Sequence, residues 1–221
     1  MSPCSGARWR PGTSGSSGSE RVLVLATLNR AKARELQALL GAVPFTIRCL
    51  ADVPDAHLPE ETGVSYRDNA LLKARAAARL TGLPALADDS GLEVDALGGA
   101  PGVRSARYGG PDLDDAGRCA RLLEALREVP EARRTARFRC VLALVDPEGV
   151  ARVVEGVVEG RIAQTPRGQG GFGYDPIFYY PPLGRTFAEL TEAEKARVSH
   201  RGRAARALRP FLSGCYTRDA G

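Results

Sequence analysis

Lysine is almost missing from this chain. Of its 31 basic residues, 28 are arginine and only Lys32, Lys73 and Lys195 are lysine. Asparagine occurs twice (Asn29, Asn69) and histidine twice (His57, His200). The cysteines, Cys4, Cys49, Cys119, Cys140 and Cys215, are odd in number, scattered and form no CxxC pair. That pattern argues against a disulfide framework or a zinc site and for a reducing compartment. No apolar run approaches the ~20 residues of a membrane-spanning helix, and no stretch has the long apolar region of a secretory signal. The net charge is +5, but no dense basic block accompanies it, so the basic stripe of a nucleic-acid module is missing.

What is present is a chain of 221 residues, 43% hydrophobic and 26% charged, an ordinary soluble globular composition. A chain of this length buries roughly 70% of its unfolded surface and needs no staple. The bias toward Arg, Ala and Gly points to drift through a GC-rich coding sequence. Lysines that survive it are candidates for places that need a compact ammonium rather than a planar guanidinium.

Residues 1–19, rich in Gly, Ser and Pro, are expected to be a disordered extension. Residues 20–213 are expected to form one domain, and 214–221 a short tail. Val22 to Ala26 reads as a strand covered on both faces. Leu36, Leu39 and Leu40 mark a helix that Gly41 ends, and Phe45 to Cys49 is a second strand, so the class is α/β. Ser65 to Leu80 reads as a helix ended by Gly82 and Pro84. Pro84 to Ala87 then reads as a short buried strand running into Asp88-Asp89-Ser90-Gly91, with another helix over Leu113 to Arg127. Thr135 to Val145 and Val150 to Ile162 read as a hairpin about Asp146-Pro147-Glu148-Gly149. A short strand at Ile177 to Tyr180 and two helices, near Glu192–Ala196 and His200–Leu212, complete the ordered chain.

Five segments carry groups suited to chemistry. Thr27-Leu28-Asn29-Arg30-Ala31-Lys32 lies between a strand and a helix start, where N–H groups, a hydroxyl, an amide and a lysine suit a polyphosphate. Its plainer alternative is a helix cap with a solvated lysine. Asp88 and Asp89, adjacent at the end of a buried strand, repel each other and suit a divalent cation such as Mg²⁺; a solvent-facing turn is the alternative. Glu60 and Glu61 could complete such a site, and Asn69 and Lys73 share one helical face that could point at a ligand or only at solvent. In Phe172-Gly173-Tyr174-Asp175, beside Gly170 and Gly171, glycines admit close approach and an aromatic ring can stack on a base; a tight bend is the alternative. Lys195, His200 and Arg201 could bond base edges or phosphate, against a reading in which Ser199 merely caps a helix.

Taken in order, these segments resemble the inosine triphosphate pyrophosphatase (Ham1-like) family, over about residues 21–213. The likeness is carried by Thr27-x-Asn29-x-x-Lys32, Glu61-Thr62-Gly63, Asn69-Ala70-x-x-Lys73-Ala74, Ala87-Asp88-Asp89-Ser90-Gly91-Leu92, Gly98-Gly99-Ala100-Pro101-Gly102, Ser105-Ala106-Arg107-Tyr108, Gly171-Phe172-Gly173-Tyr174-Asp175-Pro176 and Ser199-His200-Arg201-Gly202. One departure is Leu28, where several relatives have glycine. Lys32, Lys73 and both asparagines fall inside these motifs, and Lys195 lies four residues before the last of them.

The resemblance implies an anvil-like α/β fold, an elongated mixed sheet with flanking helices and two lobes around a central active-site cleft. It implies Mg²⁺-dependent hydrolysis of ITP, dITP and XTP between the α- and β-phosphates, clearing them from the nucleotide pool. A cytoplasmic homodimer, with no stable nucleic-acid partner and no membrane, is the implied assembly. Thr27 to Lys32 would hold the triphosphate, with Lys73 near it. Glu61 (less so Glu60) and Asp88 or Asp89 would hold Mg²⁺, with Asp89 as general base. Ser90 would touch the nucleotide, and Phe172, Gly173, Tyr174, Asp175, Lys195, His200 and Arg201 would surround the base. A nucleic-acid-binding module and a catalytically silent nucleotide sensor are the competing readings.

Overall fold

The computed structural model describes residues 21–214. The expected extension at 1–19 and, apart from Gly214, the expected tail lie outside the described residues. Among the described residues there are seven strands: β1 (Val22–Leu25), β2 (Thr46–Cys49), β3 (Ala85–Val94), β4 (Thr135–Val145), β5 (Ala151–Ile162), β6 (Phe178–Tyr180) and β7 (Arg185–Thr186). Five α-helices accompany them: α1 (Arg30–Leu40), α2 (Tyr66–Thr81), α3 (Asp115–Ala125), α4 (Glu192–Val198) and α5 (His200–Gly214). The strands pair in the order β2-β1-β3-β4-β5-β6-β7, in a sheet that contains both parallel and antiparallel pairs. The chain divides into two compact units, one containing the chain up to Asp89, Val141–Val154 and the chain from Ala205 on, the other Ser90–Cys140 and Glu155–Ala204.

In the first unit β1 pairs in parallel with β2, Leu25 opposite Cys49, and with β3, Leu25 opposite Leu86. Leu23, Val24 and Leu25 are all buried, as a strand covered on both faces must be. Helix α1 buries Ala33, Leu36, Leu39 and Leu40. The hydroxyl of Ser65 caps α2 by accepting from the Asp68 amide, and Gly82, at φ 65°, ends the helix in the left-handed conformation that glycine adopts without penalty. The inner face of α2 is lined by Ala70, Ala74, Ala77 and Ala78, with Asn69 and Lys73 buried among them.

Strand β4 shows the change of environment along one element. Ala136, Phe138 and Cys140 are buried while Arg137 and Arg139 are not, but from Val141 to Val145 every residue is buried. Alternation marks a sheet open on one face, and the continuous run marks one covered on both. The second unit's core is aromatic: Phe178 lies 4.5 Å from Phe138 and 4.8 Å from Phe187, ring centre to ring centre. Strand β6 runs antiparallel to both β5 and β7.

One expectation needs correction. The strand expected to stop at Ala87 continues to Val94, so Asp88 and Asp89 sit within β3 and not at its end. Two adjacent carboxylates followed by Ser-Gly read as the strand's end because hydropathy alone cannot reveal a strand whose polar residues have buried partners. The parallel pairing of β3 with β1 does stop at Leu86. Both aspartates therefore still lie beyond the carboxyl end of β1, where parallel α/β sheets present ligand-binding groups.

Candidate active site

The first unit brings together three carboxylates and two ammonium groups. Beyond β1 the chain turns at Thr27, whose hydroxyl accepts from the Asn29 amide at 3.1 Å. The Asn29 side-chain oxygen accepts from the amides of Ala31 and Lys32 at 2.9 and 3.0 Å. Asn29 is thus a true helix cap, and the cap directs Lys32 inward, where its Nζ lies 3.1 Å from Asp88 Oδ1. Leu28 is half exposed, and Arg30 pairs with Asp52 at 2.8 Å.

Lys73 is the centre of the arrangement. It is buried on α2, with Nζ 2.7 Å from Glu61 Oε1 and 2.9 Å from Asp89 Oδ1. One turn earlier Asn69, fully buried, donates from Nδ2 to Asp89 Oδ2 at 3.3 Å and accepts from the Gly63 amide at 2.8 Å. The helical face shared by Asn69 and Lys73 therefore points at carboxylates. Glu60 is exposed, its carbonyl accepting from the Thr62 amide, so Glu61 is the glutamate that reaches the group.

Burial pushes the Asp89 carboxyl up to about 6, against the opposing pull of Lys73, and the charges of Glu61 and Asp88 push the same way. For Lys73 burial works against the charged form, but Asp89, Glu61 and Asp88 outweigh it and hold the ammonium above its ordinary value. Asp89 is thus a carboxylate whose burial moves its pKa toward the operating pH, which suits it to accept a proton. Among the described residues, no three His, Cys, Asp or Glu side chains make a metal-ligand set by themselves.

The second unit holds the other expected residues. Ser90 Oγ accepts from Arg201 Nη2 at 2.6 Å. The Phe172 ring has Lys195 Nζ 5.1 Å and Arg201 Cζ 5.0 Å from its centre, within cation–π range. Asp175 accepts from Lys195 Nζ at 2.6 Å and from the Phe172 amide at 2.9 Å. Gly173 is held at both ends, its amide donating to Asp115 at 2.7 Å and its carbonyl accepting from Cys119 Sγ at 3.4 Å. Tyr174 turns into the core, where its hydroxyl donates to the Ser105 carbonyl at 2.8 Å and burial raises its pKa. His200 is buried and stacked on Phe138, 4.6 Å between ring centres.

All three lysines end on aspartates: Lys32 on Asp88, Lys73 on Asp89 and Lys195 on Asp175. Asn69 and Asp115 bond to other site residues, to Asp89 and to Gly173. The four-residue spacing to Lys73 signals the first; nothing in the sequence around Asp115 signals the second.

The comparisons with known proteins agree with one another. The model of the Ham1 family matches residues 23–211. Over 190 residues the chain is 52% identical to the dITP/XTP pyrophosphatase of Geobacter sulfurreducens, covering 86% of this chain and 96% of that one. It is 55% identical over 186 residues to the dITP/XTP pyrophosphatase of Thermus thermophilus, covering 84% and 89%. Among solved structures, a HAM1 protein from Coxiella burnetii matches with a TM-score of 0.79 at 46% identity, covering 87% of this chain and 98% of that one.

Proposed function

This chain belongs to the Ham1 family, and from that premise we propose that it hydrolyses the non-standard purine nucleoside triphosphates dITP, XTP and ITP to the monophosphate and pyrophosphate. The observation that carries the reading is Asp89, a buried carboxylate raised to about 6 and held between Lys73 and Asn69. In this reading Asp89 takes a proton from water as the water oxygen bonds to the α-phosphorus. The bond from that phosphorus to the bridging oxygen breaks, and the electron pair leaves with pyrophosphate. Lys32 and Lys73 supply positive charge to the phosphates, where positioning and charge neutralisation do most of the work of such transfers. Phe172 offers a ring for a base to stack on, and Arg201, Lys195 and His200 offer N–H donors for a 6-oxo group.

Mg²⁺ belongs to the same reading. Glu61, Asp88 and Asp89 would hold it, three hard oxygen donors whose charge exceeds that of Lys32 and Lys73 by one. Mg²⁺ keeps several waters and takes substrate phosphate oxygens as ligands, so it does not need a complete protein cage. When bound it would neutralise phosphate charge. Removal of these nucleotides from the precursor pool, before they enter DNA or RNA, is the purpose this chemistry suits. A homodimer in the cytoplasm, implied by the family likeness, completes the proposal.

The test is incubation with ITP and Mg²⁺. The expected result is release of pyrophosphate rather than orthophosphate, abolished by EDTA. Orthophosphate as the first product would refute cleavage at the α-phosphorus, and activity that survives EDTA would refute the role of the metal.

A further inference from the structure

The Glu61 side chain is carried by a loop, the Asp89 side chain by a strand, and Lys73 by a helix. Lys73 alone joins them without fixing their direction, because an ammonium carries three donors on a flexible stem. Asn69 supplies the missing direction. Its amide is planar, so the Oδ1 bond to the Gly63 amide and the Nδ2 bond to Asp89 Oδ2 are fixed relative to each other. Gly63 lies two residues after Glu61, so that bond ties the glutamate's loop to α2. The second bond ties β3's Asp89 to the same amide. Asn69 is fully buried and is not itself a titratable group.

The glycine shows how closely the bridge is fitted. A Cβ at Gly63 would stand 2.5 Å from Asn69 Oδ1 and 2.8 Å from Asp68 Cβ, closer than such atoms come. The backbone there is not in the left-handed region, so the absence of a side chain serves close approach and not a turn.

Building on the reading of Asp89 as general base, we infer that Asn69 is a positioning residue for this reaction: one buried amide sets the orientation of the base and, through Gly63, the place of Glu61. Misplacing a catalytic group by about 1 Å costs up to ~10²-fold in rate without requiring loss of binding. Asn69→Ala is therefore expected to lower kcat for ITP by about tenfold or more while KM stays within about twofold. Gly63→Ala, which keeps every polar group and only displaces the amide, is expected to lower kcat in the same direction. In an Asn69→Ala background, Gly63→Ala is expected to cost less than it does in the wild type, because the bond it displaces is already gone and only its approach to Asp68 Cβ remains.

A further readout needs neither metal nor substrate. Hydrogen exchange at the Gly63 amide is expected to be slow in the metal-free wild type and faster in Asn69→Ala. An Asn69→Ala protein with wild-type kcat would overturn the inference, as would a loss seen only in KM. Should Asn69→Ala fail to fold, Gly63→Ala decides alone: wild-type kcat in that variant overturns it. Full additivity of the two changes would also overturn it. Wild-type protein that releases no pyrophosphate removes the functional reading and the catalytic part of this one; unprotected Gly63 in the wild type removes the bridge alone.

Discussion

A carboxylate with a pKa near 6 in the folded protein is an aspartate that would rather be neutral. Asp89 is 4% exposed, and Lys73 does not fully offset its loss of water. Its retention makes sense if ionisation is useful, and the chemistry proposed above uses it. Asp89→Asn is expected to lower kcat by at least ~10²-fold, in line with loss of a general base, while circular dichroism shows the same fold. Near-wild-type turnover would remove Asp89 from the mechanism. Lys73→Met tests the other half of the pair. Removing one member of a buried pair leaves an uncompensated charge, so in metal-free buffer at pH 8 the variant is expected to lose about 3 kcal/mol in urea unfolding. An unchanged midpoint would show that the ammonium contributes nothing to folding. The individual residues were legible in the sequence because lysine and asparagine are so scarce. Their pairing was not, since Lys73 reaches a carboxylate 16 residues away on another element, and no local pattern encodes such a distance.

Secondary elements were legible where their boundaries are written in side-chain chemistry. Helix α4 begins with a reciprocal cap: the Thr191 hydroxyl accepts from the Glu194 amide, and the Glu194 carboxylate accepts from the Thr191 amide. Arg185 also donates to Glu194, at 2.6 Å. The Arg185 bond first, then the Thr191 bonds, lower Glu194 from 4.5 to about 2. Because the folded-state value lies below the ordinary one, this stabilisation is complete above about pH 4.5 and disappears as pH falls toward 2. Glu194→Gln is expected to be less stable than wild type at pH 6 and to converge with it near pH 2, measured by urea midpoint. A constant gap across that range would refute the electrostatic origin. Strand β3 was only half legible, since its apolar start reads as strand while the polar residues from Asp88 on read as lying past its end. The two-residue β7 has too few positions to show any period.

At the scale of the whole molecule, the surplus of arginine invites a nucleic-acid reading, but the arginines of β4 are already committed. Arg137 pairs with Glu159 and Asp95, and Arg139 with Glu93 and Glu155. Such a mixed-charge sheet face lacks the uniform sign that tracks a phosphate backbone. The groups of the candidate site instead sort by task along the chain. Those suited to phosphate and water, Lys32, Glu61, Lys73, Asp88 and Asp89, belong to the first unit, and those suited to a base, Ser90, Phe172, Lys195 and Arg201, belong to the second. The division runs between Asp89 and Ser90, consecutive residues of β3.

This sorting predicts a separation in kinetics. ITP presents an oxygen acceptor at C6 where ATP presents an amino donor, so N–H donors aimed there lose their partner with ATP, and sites of this kind discriminate strongly. Wild-type kcat/KM for ITP is expected to exceed that for ATP by at least ~10²-fold. Arg201→Ala, which removes a guanidinium bonded to Ser90 and placed beside Phe172, is expected to narrow that ratio. Asp89→Asn is expected to slow both nucleotides by the same factor and leave the ratio unchanged, because water activation does not depend on the base. Steady-state kinetics of both variants with both nucleotides checks each statement. A ratio that collapses in Asp89→Asn, or survives intact in Arg201→Ala, would show that the two tasks are not divided between the two sets of residues.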